Sequence, residues 1–303
     1  MLPNDFIPDL CIFHNVALNF PCPDGVAAAF VVWQKFQALN PNLNFLGLEY
    51  GQSCQYLENK KILIVDFSLP LTDLENLKSK GNEVYIIDHH ASFYNTVTKG
   101  GVFCFDQLIY DDSESGATLT FKTLFPDQQV PPWLLYIKDN DLFNFELPYT
   151  EEFHYGCAKL ARTFELFEQL QIFCDDDCWS ICFDWLVSHG KPAYNKAVAK
   201  LEKILNSTKK YYQWDSVPVV TLTKSESYMK SRVARLAQAR TKSQFCVVLV
   251  KGEQRVRVKT NNKALNLLQL FEGATGHPGA CGFNWSKSQD ELKHYILKKQ
   301  KEM

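Results

Sequence analysis

The sequence lacks any apolar run approaching the roughly 20 residues that cross a bilayer. Its opening residues, Met1-Leu2-Pro3-Asn4-Asp5-Phe6, also lack the basic and apolar segments of a secretory leader. The expectation is a cytoplasmic protein with no membrane partner. Internal repeats and low-complexity stretches are missing, and 46% hydrophobic with 22% charged residues is ordinary for a globular chain. Cysteine is plentiful at ten, but zinc-site spacing is not: Cys174 and Cys178 frame three aspartates with no second pair to complete a site. Others, such as Cys104, Cys157, Cys182 and Cys246, lie inside apolar segments, where reduced core cysteines belong.

Basic residues are scarce in the first part of the chain. Up to Gly190 there are 10 Lys+Arg against 26 Asp+Glu, whereas from Lys191 onward there are 22 against 8. The overall net charge of −2 conceals this polarity. An acidic part suits cation binding and a basic part suits a polyanion, and the two parts can also attract each other. At 303 residues the chain is long enough for two domains. The expected division is 1–190, a helical linker over 191–215, and a smaller domain over 216–303.

Strand and helix signals alternate in the first part. Strands are expected over 10–13, 44–49, 61–66 and 84–88, with helices over 24–39 and 71–80, the second stopped by Gly81. This rhythm predicts an α/β fold with a mostly parallel sheet covered by helices, and ligands outside the carboxyl ends of its strands. Helices follow over 113–125, with Ser113 as N-cap, over 133–138, through 151–189 and over 191–212. A second α/β pattern has strands over 217–222, 245–250 and 255–259 and helices over 229–239 and 265–271.

The strand tips carry the chemistry. Asp66 ends one apolar run and Asp88-His89-His90 ends the next, while Asp24 stands before Gly25 at a strand-to-helix turn and Asp139 follows the apolar segment 133–138. Any one of these has an ordinary explanation, since an Asp before Gly is usually a turn or helix cap. Their joint occurrence at successive tips is different. Asp24, Asp66, His89 and Asp139 form a set of three carboxylates and one imidazole, which favours Mn²⁺ or Mg²⁺ over zinc. Several carboxylates in one crevice without a cation would be electrostatically expensive.

These motifs resemble those of the DHH/DHHA1 phosphoesterase superfamily. Asp88-His89-His90 is similar to its name-giving triplet. Cys22-Pro23-Asp24-Gly25 resembles its first motif with Cys in place of the first Asp, and Val65-Asp66-Phe67 resembles its second. Ser113–Leu119 and Ile137–Phe143 resemble the fourth-motif region, and Gly276-His277-Pro278-Gly279-Ala280-Cys281-Gly282-Phe283 resembles the DHHA1 signature. The resemblance implies one or two ions, Mn²⁺ or Mg²⁺, sharing Asp66 as a bridge. Asp24, His89 and Asp139 would complete one site. The other site normally takes a His and an Asp, but Cys22 stands for the Asp and the His position falls on Leu18 or Asn19. Either residues 15–20 loop out and leave His14 beside the site, or that site is crippled.

The implied activity is metal-assisted hydrolysis of a phosphoester, with His90 on the phosphate and Asp88 orienting the histidine pair. Gly276, Gly279 and Gly282 would let backbone approach a phosphate, with His277 as a donor and Arg257 or Lys259 adding charge; a tight glycine turn is the structural alternative. The family's Ser-x-Arg is replaced by Val258-Lys259-Thr260-Asn261. The expected partner is a phosphodiester small molecule or short nucleic acid, and the expected function is hydrolysis of short oligonucleotides or (cyclic) dinucleotides, as in oligoribonuclease-like members. A catalytically impaired nucleotide- or RNA-binding protein and an inorganic pyrophosphatase are the other readings.

Overall fold

Apolar runs such as Ile62-Leu63-Ile64-Val65 are buried on both faces, as strands of a helix-covered parallel sheet must be. The computed structural model describes every residue except Met1, Asn4, 16–21, Gln55, 101–103, 161–162, Lys242 and Lys263, together with the side chains of Lys99 and His277. The chain divides into two compact units, Met1–Tyr194 and Asn195–Met303.

In the first unit the order is β1 (Leu10–His14), α1 (Pro23–Phe36), β2 (Asn44–Leu48), β3 (Lys61–Val65), α2 (Leu71–Ser79), β4 (Glu83–Asp88), α3 (Ala91–Gly100) and β5 (Gln107–Tyr110). Helices α4 (Gly116–Leu124), α5 (Pro132–Asp141), α6 (Thr150–Lys159), α7 (Phe164–Asp175) and α8 (Trp179–Leu205) follow, α8 continuing into the second unit. The five strands pair in the order β2-β1-β3-β4-β5, all parallel. The chain therefore reverses direction across the sheet between β1 and β3, and the crevice above their carboxyl ends is where doubly wound folds bind ligands.

One sheet face carries a core of Phe13, Leu63, Val65 and Ile87 against residues of α1, α4, α5 and α7. The other packs Ile12, Ile62, Ile64 and Ile86 against Leu74, Leu77, Phe93 and Val97. Phe30 of α1 sits at the centre of the first core, its ring 5.5 to 6.0 Å from those of Trp33, Trp133, Phe164 and Phe167.

In the second unit, β6 (Tyr211–Trp214), β7 (Val217–Leu222), α9 (Lys230–Ala239), β8 (Cys246–Val250), β9 (Arg255–Lys259), α10 (Leu267–Leu270), β10 (Thr275–His277), β11 (Ala280–Asn284) and α11 (Gln289–Lys301) build a six-stranded sheet. Its order is β10-β11-β9-β8-β7-β6, with β7 and β8 parallel and the other pairs antiparallel. Val256 and Val258 enter the core shared with Leu267, Phe271, Leu292 and Ile296, while Cys246 and Val248 pack on the other face against Val233, Ala234 and Ala237.

Three expectations differ from the structure. The expected linker 191–215 contains β6, an edge strand in register with β7, because Trp214 has a core to enter. The expected helix 191–212 is the later part of α8, which starts at Trp179, runs through Pro192 and stops at Leu205. Ser115, not Ser113, caps α4, through a reciprocal pair of bonds with Thr118; the Ser113 hydroxyl is bonded to Asp111.

Replacing Phe30 by Ala leaves a cavity among four rings and should destabilise the first unit by about 3–5 kcal/mol. Urea unfolding followed by tryptophan fluorescence measures this through the shift in midpoint.

Candidate metal centre

Asp66 follows β3 with its backbone in the left-handed region, at φ 51°. Asp is one of the few side chains that visits this region, and such strain collects at functional sites. Its N–H donates to the Ile87 carbonyl at 3.0 Å, tying the turn to β4. The carboxylate is thereby held in the crevice with its two oxygens facing different neighbours. Oδ1 lies 3.1 Å from His89 Nε2. Oδ2 lies 3.8 Å from His14 Nδ1 and accepts from the Cys22 thiol at 3.9 Å. Two glycines make this crowding feasible: a Cβ added at Gly116 would come 2.4 Å from Asp66 Cβ, and one at Gly25 would come 2.0 Å from the His14 carbonyl oxygen.

Asp24, in the first turn of α1, accepts the Gly116 and Ala117 N–H groups at 2.6 and 3.1 Å. These are orphan donors of the α4 N-terminus, and they aim the carboxylate so that Oδ2 lies 3.8 Å from His89 Nε2. Asp141 Oδ2 approaches the same nitrogen at 3.7 Å. Asp88 Oδ1 accepts the His89 backbone N–H at 2.9 Å and lies 2.7 Å from His90 Nδ1. Its other oxygen, Oδ2, is buried without a hydrogen-bond partner.

The structure thus brings Asp24, Asp66, His89, Asp88, His90 and His14 together, but not Asp139. The Asp139 carboxylate accepts from the backbone of Glu146 and Leu147, at 2.9 and 3.2 Å, and from the Thr150 hydroxyl. It pins a loop in which Phe143, Phe145 and Tyr149 all have positive φ. Residues two apart on a helix point about 200° apart, so Asp139 faces the loop and Asp141 faces the crevice. The spacing Asp139-Asn140-Asp141 held the signal, but only the phase of α5 decides between the two. Leu18, Asn19 and the proposed loop-out lie outside the described residues. Tyr50, not anticipated at all, stands on the loop after β2. The residue is 57% exposed, with its ring 5.1 Å from those of His14 and Phe67 and 6.2 Å from that of His90.

Donor atoms lying within 4.8 Å of one another form three sets: Asp66, Asp88, His89 and His90; His14, Cys22 and Asp66; Asp24, His89 and Asp141. Charges follow from this packing. Burial, then Asp24, Asp141 and Asp88, push the Asp66 carboxyl well above its ordinary range. Burial depresses the His89 ring, but Asp141, Asp24 and Asp88 outweigh it and the net shift is upward. Burial, reinforced by His90, lowers His14 to about 4 against the pull of nearby carboxylates. Burial followed by Asp66, Asp141 and Asp24 raises the Cys22 thiol. This is a pocket of negative charge with neutral imidazole at its edge, and a buried carboxylate oxygen lacking a partner is costly unless a cation meets it. Oxygen and imidazole donors fit Mn²⁺ or Mg²⁺.

In the second unit Gly276 and His277 lie in β10 and Gly279 with Pro278 forms the turn to β11. The His277 side chain lies outside the described residues. Gly276 has φ 126°. The Pro278 and Gly279 carbonyls accept the Leu267 and Thr260 N–H groups at 2.8 and 3.0 Å, so the hairpin is also a braced turn. Gly282 pairs in register with Arg257 and Ala280 with Lys259. The Arg257 guanidinium donates to Glu253 at 2.6 Å. Arg255, Arg257 and Lys259 alternate with the buried Val256 and Val258 and so share the opposite face. Among the described residues, no donor set forms around Cys174 and Cys178, and no helix is long and apolar enough to cross a membrane.

No family model matches the chain. An uncharacterized protein, R106, of Acanthamoeba polyphaga mimivirus is 25% identical over 164 residues, which take in 48% of this chain and 36% of that protein. RecJ from Thermus thermophilus, solved in complex with Mn²⁺, superposes over 97% of this chain and 51% of its own at 12% identity, with a TM-score of 0.51. An exopolyphosphatase-related protein from Bacteroides fragilis covers 97% of this chain and 91% of its own at 13% identity, also with a TM-score of 0.51. The chain thus spans about half the length of RecJ. It shares the fold of these structures: a parallel-sheet α/β unit followed by a second, mixed-sheet α/β unit.

Two outcomes follow. Asp139→Ala should lower stability by about 1–3 kcal/mol by stranding the loop's N–H groups while leaving Mn²⁺ affinity intact, and Asp141→Ala should do the reverse, as calorimetric titration and thermal melts of both variants will read. For His14, the unfolded ring takes a proton as pH falls through 6.5, whereas the folded ring resists until about 4. Its contribution to stability is therefore lost between those values on acidification. His14→Gln should flatten that part of the pH dependence in metal-free protein, measured by denaturant midpoints at both ends of the window.

Proposed function

We propose that the chain is a metal-dependent phosphodiesterase acting on short oligonucleotides or (cyclic) dinucleotides. The observation that carries this reading is the shared Asp66, with Oδ1 toward His89 and Oδ2 toward His14 and Cys22. Asp24, His89, Asp141 and Asp66 would hold one ion, and Asp66 with His14 would face the other. Divalent ions supply charge neutralisation at the phosphoryl oxygens and a water acidic enough to attack at neutral pH.

The remaining roles belong to the chain itself. Asp88 holds the His90 ring through Nδ1, so Nε2 is the atom assigned to a phosphoryl oxygen. Glycine hydrogens at Gly25 and Gly116 keep the walls of the crevice close to Asp66. Tyr50 offers an exposed ring beside His14 and His90, and base stacking on such a ring is independent of base identity. That favours a nucleotide over pyrophosphate, which has nothing to stack. In the second unit, Arg255, Arg257 and Lys259 beside the glycine hairpin suit an anionic substrate.

Incubation with Mn²⁺ and dinucleotides, short RNAs, cyclic dinucleotides or pyrophosphate tests the reading. Turnover of one or more nucleotide substrates is expected, abolished in Asp66→Ala. Tyr50→Ala should raise KM for a dinucleotide about 5- to 150-fold, the equivalent of roughly 1–3 kcal/mol of stacking, with little change for a phosphodiester carrying no base. Hydrolysis of pyrophosphate alone, or metal binding with no turnover of any substrate, would overturn it in favour of a pyrophosphatase or a binding protein.

A further inference from the structure

We propose that the ion on the His14 side of Asp66 is bound through the Cys22 thiolate, making this half of the centre selective for borderline ions such as Zn²⁺ or Co²⁺ over Mg²⁺. The inference rests on the crevice being a metal centre and adds an ion preference that differs between its two halves.

The position of Cys22 is the first support. It is the N-cap residue of α1, where Ser, Thr, Asp or Asn is the usual choice. A thiol stands there instead, and its sulfur lies 3.9 Å from Asp66 Oδ2. Its setting is the second. Cys11, Cys157 and Cys182 belong to an apolar core, as do Cys54, Cys104, Cys246 and Cys281. Among the described residues, Cys22 is the cysteine grouped with other ligand atoms, those of His14 and Asp66.

Spacing and chemistry agree. Sulfur, nitrogen and oxygen donors at about 2.0–2.3 Å from a tetrahedral ion stand roughly 3.3–3.6 Å apart. The His14 and Cys22 atoms are 3.8 and 3.9 Å from Asp66 Oδ2, a few tenths of an ångström from ligand spacing, and all three atoms lie within 4.8 Å of one another. Among the described residues the buried Asp88 Oδ2 has no hydrogen-bond partner, and Asp88 is itself grouped with Asp66; this is an independent sign that the crevice is built around positive charge. Thiolate with imidazole favours zinc and cobalt, whereas the opposite half, with Asp24, Asp141 and His89, presents mainly hard oxygen. On ligation the thiol proton leaves to solvent and a sulfur lone pair goes to the ion.

Co²⁺ added to the metal-free protein reads the ligand directly by absorption spectroscopy. The expected result is a near-ultraviolet thiolate-to-cobalt charge-transfer band, lost in Cys22→Ser and in Cys22→Asp although both still bind Co²⁺ at the opposite half. Zn²⁺ affinity in competition with a chromophoric chelator should fall about tenfold or more in Cys22→Ser, the consequence of losing the soft donor. In Cys22→Asp the preference for Mn²⁺ should rise. If Cys22→Ser does not fold, Cys22→Asp carries the same spectroscopic readout. Co²⁺ bound by the native chain without the band, or a band that survives both substitutions, overturns the thiolate ligand and leaves the metal centre standing. No Co²⁺ bound by the native chain overturns the centre and the inference together.

Discussion

The burial of the Asp66 carboxylate among other carboxylates is the constraint on which the first unit depends. Two unit charges 4 Å apart repel by about 4 kcal/mol at an effective dielectric near 20, and Asp24, Asp88 and Asp141 all act on Asp66. Such a cluster can exist only if its walls cannot move apart. The walls are β3, buried on both faces, the turn at Asp66 tied to β4, and the α4 N-terminus, whose N–H groups grip Asp24. Gly25 and Gly116 remove the side chains that would otherwise push the turns apart. The apolar packing around Phe30 supports the same geometry, since it fixes α1 against α5 and α7.

Asymmetry follows from that arrangement. One oxygen of Asp66 looks toward His89 and its carboxylates, the other toward His14 and a thiol. A residue that bridges two unlike donor sets couples them, because a charge that settles on one oxygen changes the basicity of the other. The two halves are therefore not independent sites, and a substitution on either side is felt through the same carboxylate.

Much of this was legible in the sequence because parallel strands end abruptly. A run such as Ile62-Leu63-Ile64-Val65 has no polar residue until the sheet stops, so the residue after it marks the ligand-binding edge. The same reasoning located His89, whereas Asp24 is marked by its place before Gly25 at a strand-to-helix turn. It failed between Asp139 and Asp141, because the choice depends on the rotational phase of α5, which apolar residues at 133–138 leave open by two positions. Tyr50 was invisible for another reason: it enters the site only because β2 lies beside β1, and strand order is not local information. The short strand β6 was absorbed into a helical expectation, since four residues carry too little periodicity to outvote the basic run before them.

Charge also dictates an order of events in the proposed reaction. A phosphodiester is an anion, and the crevice gathers the carboxyl groups of Asp24, Asp66, Asp88 and Asp141, with that of Asp66 pushed well above its ordinary range. An anion cannot approach those groups closely until cations reverse the local sign. In the second unit, Arg255, Arg257 and Lys259 alternate with Val256 and Val258, so the strand buries its valines on one side and carries its cations on the other, Arg257 being paired with Glu253. On the proposed reading, ions would be needed for a phosphate to meet the first unit, whereas the basic strand of the second unit carries its charge without them.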